Sequence, residues 1–434
     1  MRRRFALKRS KKTVLFSEKL TDIYISFLVI AFTLFCYPNY SGVTRYKYIF
    51  VMTSALIFLL IFAVGNAEIK LTGGKSDFAE GLKRLKNAPT LFFLCYIFFV
   101  SLSFLFSPHR EASLVGGGKY DGFLTELLYF FLFAVTAAYG RMRRKYIYLL
   151  SFAVLANFAL AVLQLFSLNP FTLYPSGMTY YDAFVKYSGE FLGTFGNVDV
   201  LSLFLSLAVP CLTAFAVSER KGKYALPAFL AAGVSVALLF MCRVKSGIVG
   251  VFCAAAVVPF MPEVNLGKRT KRIIFALYTA AFVIACFFAV LTVLKSDDVL
   301  MLGSGRIKIW RDSLRVFSEH PLLGSGPGTF VNEVSFSFER DAGGHHIVST
   351  PDAAHNIFFQ KLCTTGIFSL VSFVLFCVSV LKRGGKHSLF TVPCIISYLA
   401  AGFFLFEVCG ASVFFYILCG LAVGDIQKDK EELK

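Results

Sequence analysis

Apolar runs of about 20 residues, the length a helix needs to cross a bilayer, recur from Thr21 to Asp425 with short basic loops between them. A bilayer core offers no water to bond backbone groups, so such runs fold as helices whose N–H and C=O groups pair internally. The runs fall at 22–38, 48–66, 89–106, 122–139, 146–167, 198–217, 225–241, 247–262, 273–294, 357–381, 389–406 and 409–425. The expectation is an all-α, polytopic membrane helical bundle of about 12 transmembrane helices. A chain that is 57% hydrophobic and 16% charged lies outside the range of soluble domains.

The cations set the orientation. With the N-terminus inside, "MRRRFALKRSKK", "KRLK", "RMRRK", "ERKGK", "GKRTKR" and "KRGGK" all fall on one side, roughly 30 Lys and Arg against roughly 13 on the other. The positive-inside rule therefore places both termini in the cytoplasm. It also explains the net charge of +18 through attraction to an anionic leaflet, without nucleic acid.

The eleven cysteines lie in or beside apolar runs with no C-x-x-C spacing, and read as small hydrophobes rather than metal ligands or disulfides. The basic start has no compact apolar core followed by a small-residue cleavage site, so it reads as a retained cytoplasmic leader. The expected organisation is a basic N-terminus at 1–21, transmembrane helices 1–9 at 22–294, a large extracytoplasmic loop at 295–356, helices 10–12 at 357–425 and a cytoplasmic tail at 426–434.

Polar sequence is concentrated on the outer face, at 107–126, 167–197, 242–247 and 295–356. Long, aromatic, glycine-bearing loops of low repetitiveness are usually ordered and functional. Within the last of these, Ile307, Trp310, Leu314 and Phe317 recur at helical spacing, while Lys308, Asp312 and Arg315 lie away from them. The pattern predicts an amphipathic helix on the membrane surface or against the bundle, ended by Pro321 and "GSGPG". Arg306 falls at the edge of its apolar stripe, in the first turn, where free N–H groups favour an anion. The alternative is that Arg306 lays its stem on apolar surface and holds lipid phosphates.

"CRVKSG" at 242–247 leaves Arg243 and Lys245 at the outer surface, as anion ligands or as two anchors on a tight hairpin. "TPDAAHN" at 350–356 reads as a helix start, with Thr350 as N-cap, Pro351 in the first position and Asp352 in the first turn. That start would put His355 one turn in, on a face shared with Phe359 and Leu362. His355 is either a general base, with an ordinary pKa near 6.5, or a structural histidine bonded to a loop carbonyl. His345 and His346 lack further ligands at metal-binding spacing and read as loop residues; no metal site is expected.

Taken together, "GSGRIKIWRDSLRVFSEHPLLGSGPGTF" at 303–330 and "AHNIFFQKLCTTGIFSL" at 354–370 resemble the signature of the O-antigen ligase and O-antigen polymerase superfamily. Its core is R-x-x-x-W, then H-P-L-L-G-x-G-x-G-x-F, then H-N-x-x-x-Q and a Gly-Ile pair. "GTFGNVDVLSLFLSLAVP" at 193–210, "VKSGIVG" at 244–250 and "GGGKYDGFLTELLY" at 116–129 are similar to further family segments.

The resemblance implies a membrane glycosyltransferase of the C type, using no metal, cofactor or nucleotide sugar. It would transfer a glycan from a polyprenyl (undecaprenyl) diphosphate carrier to an acceptor hydroxyl at the outer face of the cytoplasmic membrane, in polysaccharide or cell-envelope biosynthesis. The expected partners are the lipid-linked donor, a glycan, lipid or protein acceptor, and membrane lipids, with no nucleic acid. Carried onto this chain, Arg306 matches the arginine for the diphosphate and His355 the proposed base. The Ser-Arg-Gly arginine falls on Lys245, with Arg243 two residues earlier, and either could face phosphate. Asn356, Trp310, Asn197 and Lys119 are supporting candidates. Thr364 stands where family members commonly carry Glu.

A ligase and a polymerase would share these parts and differ in acceptor. A flippase or transporter for lipid-linked oligosaccharide would instead show internal repeats and helices broken at the midplane, and neither pattern is read here. A peptidoglycan-type polymerase would use an outer-face carboxylate such as Asp121, Asp182, Asp199 or Glu407.

Overall fold

The computed structural model describes residues 15–40, 42–74, 76–166, 168–173, 193–219, 225–261, 263–342, 345–384 and 389–432. The basic leader at 1–14, Asp182 and most of the segment 167–197 lie outside the described residues.

Each apolar run carries a helix. In chain order these are α1 (Phe16–Phe27), which continues as a π-helical turn at Leu28–Phe32, and α2 (Val43–Leu71), with the short α3 (Phe78–Arg84) leading to α4 (Ala88–Phe106). The short α5 (Arg110–Val115) precedes α6 (Phe123–Tyr139), α7 (Arg144–Leu165), α8 (Val198–Glu219), α9 (Ala225–Met241), α10 (Lys245–Val257) and α11 (Lys268–Leu294). After the long segment 295–356, with α12 (Leu302–Glu319) and α13 (Phe330–Glu333), come α14 (Ile357–Gly384), α15 (Val392–Gly402) and α16 (Cys409–Glu432). Among the described residues, α2, α4, α7, α8, α11 and α14 are the 6 helices long and apolar enough to cross a membrane by length and composition.

Local chemistry explains where these helices begin. At α4, Asn87 Oδ1 accepts from Thr90 N at 3.0 Å and Pro89 occupies the first turn, a combination that satisfies the free donors of a helix start. At α8, Asn197 caps in the same way, its Oδ1 accepting from Asp199 N at 2.7 Å and its carbonyl from Leu201 N at 2.9 Å.

In the core, α4 packs on α14, α6 on α16, α10 on α15, and α8 on α9 and α15. Close approach is built into the sequence of α10, where a Cβ at Gly250 would stand 2.5 Å from the Ser397 carbonyl. At the other extreme, α11 buries no residue against the rest of the chain.

The expectation of unbroken helices fails at α14. Gly366 has φ +81° and ψ 175°, interrupting the helix two to three turns after its start. A Cβ there would stand 2.2 Å from the Leu322 carbonyl, so the "HPLLGSG" segment can pass only against a glycine. The break frees backbone groups, and that same segment satisfies them: Ser325 N donates to Cys363 O at 3.1 Å, Gly326 N to Thr364 O at 2.8 Å, and Ile367 N to Pro321 O at 3.0 Å. From α4, Ser103 Oγ donates to Thr364 O at 3.0 Å and Ser107 Oγ to Ser325 O at 2.6 Å.

Among the described residues, the segment 295–356 departs from the all-α expectation by an antiparallel hairpin, β1 (Phe338–Ala342) with β2 (His345–Ser349), in which His345 and His346 are strand residues. The amphipathic helix is present, but its regular part begins at Arg306 because Gly303, Ser304 and Gly305 all have positive φ. Its buried face is also turned from the expected one. Ile309, Asp312, Ser313 and Val316 are buried, whereas Leu314 is 47% exposed. Ile309 and Val316 pack with Phe330, Ala354 and Cys363.

Asp312 can go inward because the fold supplies its partners. Ser335 N and Oγ donate to it at 2.9 and 2.7 Å, and Arg315 Nε at 2.8 Å. Burial opposes the charge, but these bonds outweigh it and hold the Asp312 carboxyl below its ordinary pKa.

Candidate functional site

His355 does not sit one turn inside a helix. Thr350, Pro351 and Asp352 are irregular, and His355 itself has φ +48°, a left-handed conformation that no right-handed helix accommodates. The cap is Asn356, whose Oδ1 accepts from Phe358 N at 2.9 Å and Phe359 N at 3.1 Å, so α14 begins at Ile357, two residues after the histidine. His355 is therefore held on a turn at the mouth of the bundle. Its ring meets Phe406 edge-on, with centroids 5.2 Å apart.

Two cations share this mouth. Arg306 Nη1 donates to Gly303 O at 3.0 Å, which folds the guanidinium back over the start of α12. Lys119 Nζ lies 2.9 Å from Asp352 Oδ2 and 4.6 Å from the Phe406 ring centre. Both charges act on His355, and both reach Asp199 in the first turn of α8. Burial, and then the Arg306 charge, push the His355 pKa down to about 4, against Asp352 and with a further push from Lys119. His355 is thus neutral at pH 7 and keeps a lone pair to accept a proton.

The motif residues also carry unsatisfied polar atoms. Arg306 Nε, Trp310 Nε1, His355 Nδ1 and Asn356 Nδ2 are buried and have no hydrogen-bond partner among the described residues. Buried polar groups are normally paired, and leaving one unpaired costs about 1–3 kcal/mol. Four such atoms lie on residues of the motifs and are open to a polar partner. Trp310 closes one side with Phe359, Phe403 and Phe404, at centroid distances of 5.6, 5.9 and 6.1 Å.

Arg243 and Lys245 are placed differently. Both are exposed at the turn between α9 and α10, with no hydrogen bond or ion pair to Arg306 or His355 among the described residues. That turn borders the start of α8: Asp199 acts on Cys242, and a Cβ at Gly247 would stand 2.1 Å from Ser202 Oγ. Asn197 serves the site as the cap that sets the start of α8. Thr364 is buried and donates through Oγ1 to Gln360 O at 2.6 Å, so its side chain is spent inside α14.

Behind His355 lies an ion cluster that the motifs do not announce. Lys361 Nζ sits 2.7 Å from Glu407 Oε2, 3.1 Å from Glu126 Oε1 and 2.7 Å from Tyr96 Oη, and Tyr416 Oη donates to Glu407 Oε1 at 2.9 Å. A small cavity beside it is lined by Asp121, Glu126, Gly328, Gln360, Lys361 and Glu407. Burial lifts the Asp121 carboxyl to about 7, with its own backbone N–H opposing and Asp352, Glu126 and Glu407 reinforcing. The sequence signal for this cluster is an ionisable residue inside each of three apolar stretches, Glu126, Lys361 and Glu407.

On the flank of α12, Glu319, His320 and Glu333 bring one donor atom each within 4.8 Å of one another, and His109 Nε2 lies 3.1 Å from Glu333 Oε1. Arg315 Nη1 already takes both oxygens of Glu319, at 2.8 and 2.9 Å. The group braces α12 against α13 and the start of α5.

No curated protein matches the chain. Residues 207–374 match the family model described as O-antigen ligase. The matched segment runs from α8 to α14 and contains Arg306, Trp310, His355 and Asn356. With its apolar helices the chain is a multi-pass membrane protein, and its segment from 207 to 374 is similar to the O-antigen ligase family.

Proposed function

We propose that the protein is a glycosyltransferase that moves a glycan from a polyprenyl diphosphate carrier to an acceptor hydroxyl at the outer face of the cytoplasmic membrane. The observation that carries this reading is the convergence of a neutral His355 with Arg306 and Lys119 on motif residues whose buried polar atoms are unpaired. A sugar C1 on diphosphate already has a good leaving group. The enzyme has to take a proton from the attacking hydroxyl and hold the charge that develops on the diphosphate.

His355 takes the hydroxyl proton as the acceptor oxygen bonds to C1. The C1–O bond to phosphate breaks, and its electron pair leaves with the diphosphate. Arg306 and Lys119 hold that charge, since charge-assisted bonds to phosphate oxygens are about twice as strong as neutral ones. Arg243 and Lys245 stand beside the start of α8, where they would meet the carrier's phosphates from the membrane side. In this reading about twelve apolar helices span the membrane with both termini in the cytoplasm, and 295–356 is the catalytic loop. The ligase and polymerase readings differ only in which hydroxyl enters.

The test is transfer by purified protein from a lipid-diphosphate-linked glycan, followed by chromatography of the released glycan product. His355→Ala and Arg306→Ala should each abolish most turnover. Turnover at the wild-type rate by both variants would overturn the assignment.

A further inference from the structure

Three segments far apart in sequence close on the side chain of Asp121. Its own loop passes so near that a Cβ at Gly116 would stand 2.8 Å from Asp121 Oδ1. The "GSGPG" turn comes equally close: a Cβ at Gly328 would stand 2.9 Å from the same oxygen, and Gly117 N donates to Gly328 O at 2.8 Å. The third segment is α14, from which Gln360 Nε2 donates to Asp121 Oδ2 at 3.3 Å.

The other end of that amide is the informative one. Gln360 Oε1 accepts from Ala354 N at 2.7 Å, the residue immediately before His355. One side chain therefore spans from Asp121 to the backbone of the His355 turn. The turn needs holding, because a left-handed non-glycine residue costs about 1–2 kcal/mol and persists only where its surroundings impose it. Asn356 fixes the turn on its C-terminal side through Phe358 N and Phe359 N. On the N-terminal side the Lys119–Asp352 pair ties the approach to the turn, Gln360 bonds the residue next to His355, and Asp121 fixes which way the Gln360 amide faces.

We propose that Asp121 is a positioning residue for glycan transfer: acting through Gln360, it holds the left-handed turn that presents His355 to the acceptor. The proposal rests on His355 being the base. It gives the "GGGKYDG" segment a role in setting the geometry of a residue more than two hundred positions away.

The experiment uses full-length protein in lipid nanodiscs. Amide hydrogen exchange is followed over 353–358, and transfer is measured with glycan on lipid diphosphate extracted from the producing cells. Asp121→Ala should speed exchange in that peptide by roughly tenfold or more, the loss expected when about 1.4 kcal/mol of local restraint is removed. It should lower kcat by roughly 10²-fold with KM little changed, as when a reacting group loses its orientation. Asp121→Asn keeps an oxygen that accepts from Gln360 and should restore most of both. Gln360→Leu should reproduce Asp121→Ala without disturbing the carboxylate packed on Gly116 and Gly328, which covers the case in which Asp121→Ala fails to fold.

Wild-type exchange in both Asp121→Ala and Gln360→Leu would overturn the proposal. So would Asp121→Asn turning over as slowly as Asp121→Ala with the turn still protected, because Asp121 would then act through its charge. His355→Ala separates the two layers: full activity there removes the base assignment, while the exchange comparison still decides whether Asp121 braces the turn.

Discussion

Lys119 Nζ and Asp352 Oδ2 are 2.9 Å apart, an ion pair that ties the loop before α6 to the loop before α14 directly beside His355. Both partners are partly exposed, so the pair adds little stability. In the proposed reaction its value lies in placement, since it keeps a cation at the mouth that an arriving diphosphate would draw away from Asp352. Lys119→Met should therefore lower kcat by roughly 10²–10³-fold, the usual effect of deleting one donor to developing charge, with the unfolding midpoint nearly unchanged. Steady-state transfer kinetics beside a thermal unfolding curve check both halves.

The low pKa of His355, about 4, arises first from burial and then from Arg306, with Lys119 adding and Asp352 opposing. A diphosphate seated on Arg306 and Lys119 neutralises two of these influences, so its binding should raise the His355 pKa toward the ordinary value near 6.5. The sign for stability follows from the same shift. The unfolded chain binds more protons than the native one between about pH 6.5 and 4, so this contribution is complete above that window and is lost as pH falls through it. Titration of His355 by NMR, with and without inorganic diphosphate, measures the change; an unmoved pKa would disconnect the cation pair from the histidine.

Asn356 does two jobs with one side chain, capping α14 through Oδ1 and leaving Nδ2 unpaired. Asn356→Ala should cost about 0.5–2 kcal/mol, the range for a lost N-cap. Asn356→Asp keeps the capping oxygen and replaces the donor with a second acceptor. It should be stable and poorly active, a split visible by comparing the detergent unfolding midpoint with turnover.

The Lys361 cluster pairs one ammonium with two carboxylates, at 2.7 and 3.1 Å, inside an aromatic shell that includes Tyr96 and Phe373. Removing one member of a buried pair costs about 3–5 kcal/mol, because the remaining charge is left uncompensated. Lys361→Met should fall in that range. The combined variant with Glu126→Gln and Glu407→Gln should recover much of the loss, as read from thermal unfolding of the three forms.

The positions of the apolar helices were legible in the sequence because each follows from a local rule. A run of about 20 apolar residues must satisfy its own backbone, and in a helix it does so without help from any other segment. Arg306, Trp310, His355 and Asn356 were likewise legible, as spaced residues in an ordered pattern that the family match from 207 to 374 contains. Asp312 marks where the local rule fails: helical periodicity assigned it to the outer face, and only the arrival of Ser335 from the chain beyond α13 makes its burial affordable.

His355 shows the same division at the site itself. Thr350, Pro351 and Asp352 satisfy the residue preferences of a helix start, and nothing within that stretch excludes one. The helix begins at Ile357 instead, because Asn356 takes the cap and Gln360 holds Ala354, and Gln360 is in turn aimed by Asp121 from before α6. The break in α14 at Gly366 forms because the "HPLLGSG" segment lies against it and takes up the freed groups. Sequence alone determined the apolar helices and the ordered motif to which Arg306, Trp310, His355 and Asn356 belong, because those depend on runs and spacings along one segment. The tertiary structure decided the turn that presents His355, the pairing of Lys119 with Asp352 beside Arg306, and the buried ions behind them, because each is a contact between segments whose meeting no local rule specifies.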